Sequence, residues 1–472
     1  MFRDNDKILA LLIGLVVIRG LLYIAIVPPW LAPDEPAHFE AIRLIGQEGL
    51  QPTEAVYLTT PMHPDMHASF QAFQIWQLSR LAPPQDPLDP SRPVSDRFIN
   101  YYPPTSTGSL IIAGNYPLVY HRLMAPLSAL MKNLPLISQV YILRLASLLF
   151  TTLTVSLGWF LTRTIFPTRI VHAVGMTTFL VFLPMHLHVD TAINSDVLVV
   201  LWVSLYFFGL AKIFCDGLSI IRLLVTALAL GLAIMTKPTA LFIMPTTLVA
   251  LIVYLARRFY WKPLWLAGSL VMIASATFIG SILLFQLGEG GRAISTLELT
   301  LDQPAPVGNY FSPTAMAVYL HTIRWGFLSF WGLFGWANIP VLTTGLRAVW
   351  LICIIIGLGM LLFIGQHLLQ FGRRPRTLTS NQQDILLVLL FSLIFALISV
   401  YTPIIATQSV RWGPPSRYFF PALLPFSLYF FLGYQQLIPA RFYQLTLPIW
   451  LTAFFLYDAY ALGFVLIPYI YG

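Results

Sequence analysis

The chain has 472 residues, of which 57% are hydrophobic and only 10% charged, with a mean hydropathy of +0.76. Soluble domains carry about 25% charged residues, so a soluble fold is excluded and an integral membrane protein is indicated. The formal net charge of +8 does not point to nucleic acid, because excess Arg and Lys in such a chain mark cytoplasmic loops.

The first apolar run, Ile8–Val27, follows the mixed-sign MFRDNDK and shows no small-x-small cleavage site after it, so it reads as a retained signal-anchor helix. Runs of about 20 apolar residues, long enough to cross a bilayer, recur at 139–162, 169–188, 196–214, 221–236, 238–256, 264–286, 347–370, 385–401, 417–437 and 443–468. The expected fold is therefore an all-α membrane bundle of about eleven transmembrane helices. Cys215 and Cys353 fall in separate apolar runs and offer neither a disulfide framework nor a metal-spaced pair.

With the N-terminus in the cytoplasm, alternating spans place Arg163, Arg169, Lys212, Arg222, Arg257, Arg258, Lys262, Arg373, Arg374, Arg376 and Arg441 on the cytoplasmic side. The same alternation puts residues 29–138 outside. The part from 29 to 116 has no Lys, four Arg and nine of the 19 acidic residues. A structureless loop of this length is uncommon and often functional. Pro36–Gly46, His63–Leu81 and Tyr116–Met131 read as helices lying along the membrane surface. A second external loop, 287–346, ends in RWGFLSFWGLFGWANIP, a candidate re-entrant segment. The expected organisation is a module over 1–286, this loop, and C-terminal helices over 347–472.

The run PPWLAPDEPAHFEAIRLIG places Asp34, Glu35 and His38 at the outer mouth of the first span. Adjacent acids on a helix point about 100° apart, so only one faces a given atom, whereas Asp34 and His38 share a face. The competing reading is that Asp34 caps the helix and Glu35 sits at its positive end. Asp196, in Asn194-Ser195-Asp196, lies on the same side, with Asn194 or Ser195 a candidate cap. Asp34, Glu35 and Asp196 together could hold a divalent cation, Mg or Mn, since hard cations prefer carboxylate oxygens. His186 and His188 point to opposite sides of a helix, which leaves only His186 with Asp190 as a geometrically sound pair, and His63 and His67 lack a third ligand. Cations near spans are costly and often functional. Lys237, before Pro238, and Arg417, with Arg411 upstream, are candidate phosphate ligands, with snorkelling to headgroups as the competing reading. Trp331 and Trp336 are candidates either for lining a sugar or prenyl pocket or for interfacial anchoring.

PDEPAHF, NYPLVYH, ILRLAS, INSD, MTKPTAL, SFWGLFGW and SRYFFPAL occur together and in this order. Over roughly 25–435 the chain resembles a bacterial family of polytopic proteins of unknown function (family 2142). That family in turn resembles the GT-C glycosyltransferases, relatives of protein O-mannosyltransferases and aminoarabinose transferases. Where relatives often show His-Pro-Pro-Leu-Tyr, this chain has Asn115-Tyr116-Pro117-Leu118. The resemblance implies a plasma-membrane enzyme that takes a sugar from a polyprenyl-phosphate donor and uses an acid of the first external loop. Inverting transfer needs a base for the acceptor hydroxyl and cations for the leaving phosphate. Asp34 or Glu35 is the expected base, with His38, Asn194 and Asp196 in support. Lys237, Arg417 and Arg411 form the expected donor clamp. The competing classes are a lipid or polysaccharide transporter, which would favour broken helices in paired halves, and a glycan polymerase. Membrane lipids are the only other expected partner. The sugar, the acceptor and the oligomeric state are not written in the sequence.

Overall fold

The computed structural model describes residues 2–53, 63–79, 118–258, 311–341, 346–370, 378–407 and 416–472, besides a few isolated positions. The described chain is helical almost throughout, as an apolar solvent demands, because every backbone polar group must be satisfied within its own segment. Helix α1 is Phe2–Ile26, and the loop after it carries α2 (Glu35–Gln47), α3 (Met66–Ala72), α4 (Ile75–Ser79) and α5 (Val119–Leu130). The bundle continues with α6 (Leu136–Ile165), α7 (Ile170–Phe182), α8 (Pro184–Asp190), α9 (Ser195–Asp216), α10 (Ile220–Thr236), a 3-10 turn Pro238–Ala240 and α11 (Ile243–Arg258). Then come α12 (Pro313–Gly332), a hairpin of β1 (Leu333–Phe334) and β2 (Ile339–Pro340), α13 (Leu346–Gln370) and α14 (Ser380–Thr407). A 3-10 segment Ser416–Ala422 leads into α15 (Leu423–Gln436), α16 (Tyr443–Tyr460), a π-helical turn Ala461–Leu466 and α17 (Ile467–Tyr471).

Seven described helices, or eight counting the bent pair α7–α8, are long and apolar enough to cross a membrane. The expected span 264–286 lies outside the described residues. Three others are built differently from a plain helix. The expected span 221–236 is α10, whose 17 residues reach about 26 Å at 1.5 Å per residue, short of the ~30 Å hydrocarbon core. The expected span 417–437 is a 3-10 segment followed by 14 residues of α15. The expected span 169–188 is bent by 60° where Pro184 opens α8, since proline removes a backbone donor and crowds the preceding turn.

Hydropathy alone does not separate the centre of the bundle from its rim. Within its most apolar window α9 is 78% buried and α13 only 17%, although both are strongly hydrophobic. Helix α9 is the hub, packed along α6, α10 and the Ser416–Ala422 segment, while α13 faces lipid and docks on α15. The α13–α15 contact is a backbone approach: a methyl added at Gly433 would lie 2.7 Å from the Ile356 carbonyl and the Met360 nitrogen. Small residues permit such contact between membrane helices.

The first-loop helices are placed differently from the expected surface helices. In α2 every residue from Glu35 to Leu44 is buried, and the helix packs against α5 beneath the loop. The expected helix 63–81 is two short helices broken at Gln74, whose φ is 51°. The aromatic Gly-rich run forms a tight hairpin after α12, with Gly335 and Ala337 both at φ 61°. Its polar groups are met by protein: Gly335 N donates to His188 Nε2 (3.2 Å), and Asn338 Nδ2 donates to the Leu78 carbonyl (2.7 Å) and to Tyr469 OH (2.9 Å). Non-helical backbone at this depth is tolerated only under such cover. Trp331 is buried against Phe179, Phe454 and Tyr457.

Candidate functional site

The turn Pro28–Asp34 is where the first span becomes α2, and two of its residues hold a left-handed backbone: Trp30 at φ 73° and Asp34 at φ 63°. Asp tolerates this region and a bulky Trp does not, so Trp30 is held there by its surroundings. Its backbone N–H donates to Glu35 Oε2 (2.8 Å), its indole N–H to Ser69 Oγ (2.9 Å), and its carbonyl accepts from Trp336 Nε1 (3.0 Å).

The two neighbouring acids have separate fates. Glu35 is fully buried and receives a two-pronged bond from Arg144, Nε to Oε1 and Nη2 to Oε2 at 2.7 Å each, plus the backbone N–H of Trp30 and of Ile193. Arg144 donates its remaining protons to the carbonyls of Val27 (2.6 Å), Pro28 (2.9 Å) and Ile24 (3.4 Å). With both oxygens engaged, Glu35 cannot collect a substrate proton. It ties the turn before α2 to the turn before α9. The expectation that Glu35 shares the base role is not favoured by this geometry, in which its carboxylate is spent on holding the two turns together.

Asp34 occupies the N-cap of α2 but makes no capping bond. Its Oδ2 instead accepts from Arg417 Nη2 at 2.5 Å, across 383 residues of sequence. Asp196, in the first turn of α9, accepts from Lys237 Nζ at 2.5 Å and lies 3.9 Å from Arg417 Nε. Asn194 caps α9, its Oδ1 receiving the Asp196 N–H at 2.9 Å, so its role is to start that helix. Tyr418, not singled out by the sequence, places its ring 5.2 Å from Lys237 Nζ and 5.3 Å from the Arg417 guanidinium carbon, within cation–π range. Ser329, from the SFWG run, holds the segment bearing Arg417 by accepting the Ser416 N–H at 2.9 Å.

His38 stands one turn along α2 from Asp34, and its Nδ1 lies 2.9 Å from Nε2 of His121 on α5, with the rings stacked. His121 was legible in the sequence only as a polar residue on an apolar helix, and nothing in its spacing linked it to His38. His121 Nδ1 is buried with no partner, and a proton there would be an orphaned donor. The better-satisfied arrangement has His121 Nε2–H donating to His38 Nδ1, which leaves the His38 proton on Nε2.

The charges shape each other. Burial pushes the Asp34 carboxyl up, but Arg417, then His38, and finally Lys237 outweigh it and hold the group down at about 2. Burial, reinforced by Lys237 and Arg417, lowers His38 to about 3 against the pull of Asp34. His121 is driven well below its ordinary range by burial and then by His38 and Lys237. The histidines are neutral at pH 7, and Asp34 is ionised but held by a cation.

Two carboxylates and two cations thus converge from four elements at one end of the bundle. The set does not fit a divalent ion: Asp34 and Asp196 are each already matched by a cation within 2.5 Å, and Glu35 is committed to Arg144. Among the described residues no group of three or more His, Cys, Asp or Glu is arranged to hold a metal. Arg411 lies outside the described residues. His186 Nε2 is 3.1 Å from Asp190 Oδ2 within α8, while His188 turns the other way to the hairpin, as their spacing predicts. The cluster has hydrogen-bonding capacity to spare on both sides: Asp196 Oδ2 is buried with no hydrogen-bond partner among the described residues, and so are donors of Arg417. Arg417 is nearly buried, and among the described residues its Nε and Nη1 have no hydrogen-bond partner.

Residues 17–425 match a family described as "Predicted membrane protein (DUF2142)". The chain belongs to this family. Every described residue of the cluster falls within the matched region, whereas Asp458, which pairs with Arg19 and Tyr23 on α1, falls beyond it. Comparison with curated proteins finds no match.

Proposed function

We propose that this DUF2142 protein is a membrane glycosyltransferase of GT-C type, taking a sugar from a polyprenyl-phosphate donor and passing it to an extracytoplasmic acceptor. The observation that carries this reading is the buried guanidinium of Arg417, two of whose nitrogens have no hydrogen-bond partner among the described residues, with Lys237 beside it on Asp196. Orphaned buried donors are costly, and a phosphate diester supplies oxygens in the geometry a guanidinium prefers.

On this reading the resting ion pairs are exchanged on donor binding. The phosphate draws Arg417 from Asp34 and Lys237 from Asp196. Asp34, released from the cation that holds its carboxyl low, rises towards the ordinary carboxylate range and becomes a competent base. The acceptor hydroxyl oxygen then attacks the anomeric carbon, its proton passes to Asp34, and the bond from the anomeric carbon to the phosphate oxygen breaks. The leaving polyprenyl phosphate gains one negative charge, which Arg417 and Lys237 stabilise where it develops. His38, with its Nε2 proton, is placed to hold the acceptor.

The test is donor binding and turnover by detergent-purified protein with a panel of labelled polyprenyl-phosphate sugars. Asp34→Asn is expected to keep donor binding and lose turnover by about 10²–10⁴-fold, the usual weight of a general base. Arg417→Gln is expected to lose binding itself. Unchanged turnover in Asp34→Asn, or no binding of any donor by the wild type, overturns the mechanism. Binding without turnover in the wild type assigns the same clamp to a transporter.

A further inference from the structure

At the opposite end of the bundle a cleft of about 700 Å³ opens between the last turns of α6 and α9 and the start of α14. Helix α9, Ser195–Asp216, carries Asp196 in its first turn and Asp216 of the cleft at its end, about 30 Å apart along the axis. One wall is apolar: Phe160 of α6 and Phe208 of α9 stand 6.3 Å apart, and Phe160 is 45% exposed. Along α6 that wall continues into Leu153 and Leu149, both exposed on the lipid-facing side.

The other wall is polar and basic. Arg163 lines the cleft and has no hydrogen-bond or ion-pair partner among the described residues. Lys212 Nζ pairs with Asp216 Oδ2 at 2.7 Å, which leaves the lining one positive charge in excess. The groups that would repel an anion here are the Asp216 carboxylate, which Lys212 neutralises, and the carbonyls at the ends of α6 and α9, three of which are capped. Gln382 Nε2 donates to the Ile165 carbonyl (2.7 Å), and Arg222 Nη1 donates to those of Asp216 (2.8 Å) and Gly217 (2.5 Å). An apolar wall continuous with the lipid face and a cationic end at helix-terminus level together match an amphiphile with a negative head. Basic pockets between transmembrane helices bind anionic lipid head groups.

We propose that this cleft is a site for an anionic glycerophospholipid of the surrounding bilayer, its phosphate on Arg163 and Lys212 and its acyl chains along Phe160 and α6. The proposal is independent of the activity at the Asp34 end.

The experiment is lipid retention by the purified full-length chain in neutral detergent, read by native mass spectrometry. The probes are phosphatidylglycerol, phosphatidylcholine and inorganic phosphate. The wild type is expected to retain phosphatidylglycerol about 5-fold better than phosphatidylcholine, and Arg163→Gln to abolish that preference. Lys212→Gln, which leaves Asp216 uncompensated, gives a second route to the same loss should Arg163→Gln aggregate. Arg441→Gln, an exposed cation away from the cleft, is expected to retain the preference. Equal retention of the two lipids, an equal loss in Arg441→Gln, or displacement of phosphatidylglycerol by inorganic phosphate would each overturn the proposal, the last by making this a free-anion site.

Discussion

Asp34 and Glu35 are chemically near-identical neighbours, and the difference between them is direction. Asp34 has the left-handed backbone that an Asp tolerates, which turns its carboxylate out of the helix start towards Arg417, while Glu35 is swung under the turn into Arg144. The histidines beside them report on acidity. Both are buried and held neutral, so protonation is disfavoured in the folded state while an unfolded histidine takes up its proton near pH 6.5. The stability due to each is complete above pH 6.5 and falls as the pH drops below it, by about 1.4 kcal/mol per pH unit per histidine until the folded-state value is reached. For His38 that window extends down to about 3. Asp34 adds to the acid loss only lower, between its ordinary value of 3.8 and about 2. Unfolding in detergent followed from pH 7.5 to 5.5 should therefore show a falling stability whose slope is shallower in His121→Gln. An unchanged slope would mean that these imidazoles are not held neutral.

Single elements carry the site by packing that hydrophobicity does not specify. The β1–β2 hairpin braces Trp30 through Trp336, and α12 braces Arg417 through Ser329. Trp336 thus ties the hairpin to the left-handed turn at Trp30. Helix α15 follows directly on the segment bearing Arg417, and its registry depends on the bare backbone of Gly433 against α13. Gly433→Val pushes a side chain into the Ile356 carbonyl and the Met360 nitrogen, and overpacking of this kind costs about 1–3 kcal/mol or more. Its expected signature is a lower unfolding temperature together with weakened donor binding, while Gly365→Val on the neighbouring α13, where nothing lies within 4 Å, leaves both unchanged. Equal behaviour of the two variants would remove the packing account.

Across the whole molecule the two ends differ in chemistry. Asp34, Asp196, Lys237 and Arg417 gather at one, and Arg163, Lys212, Asp216 and Gln382 at the other. We propose that they lie on opposite membrane faces, as the excess of basic residues in one set of loops leads one to expect. In a background lacking Cys215 and Cys353, Gln51→Cys and Thr168→Cys, both at exposed positions, should be labelled by an impermeant maleimide from opposite sides of the membrane, Gln51→Cys from outside. Labelling from the same side would refute that orientation.

Much of this was legible in the chain itself, for identifiable reasons. Membrane insertion follows from apolar length, which is a local property. The helix start at Asn194 follows from a cap, and the opposed directions of His186 and His188 follow from helical period. The candidate acids and cations stood out because charge is expensive in so apolar a chain. Partnership was not legible. Asp34 meets Arg417, and His38 meets His121, across 383 and 83 residues, distances over which no periodicity carries information. Whether an apolar helix faces protein, as α9 does, or lipid, as α13 does, is equally silent, because both environments reward the same residues. The sequence by itself determined that the chain lives in a bilayer and which side chains could bear chemistry. Only the tertiary structure decided which acid is spent on holding the fold and which is left facing a cation, because that choice depends on where the ends of distant helices meet.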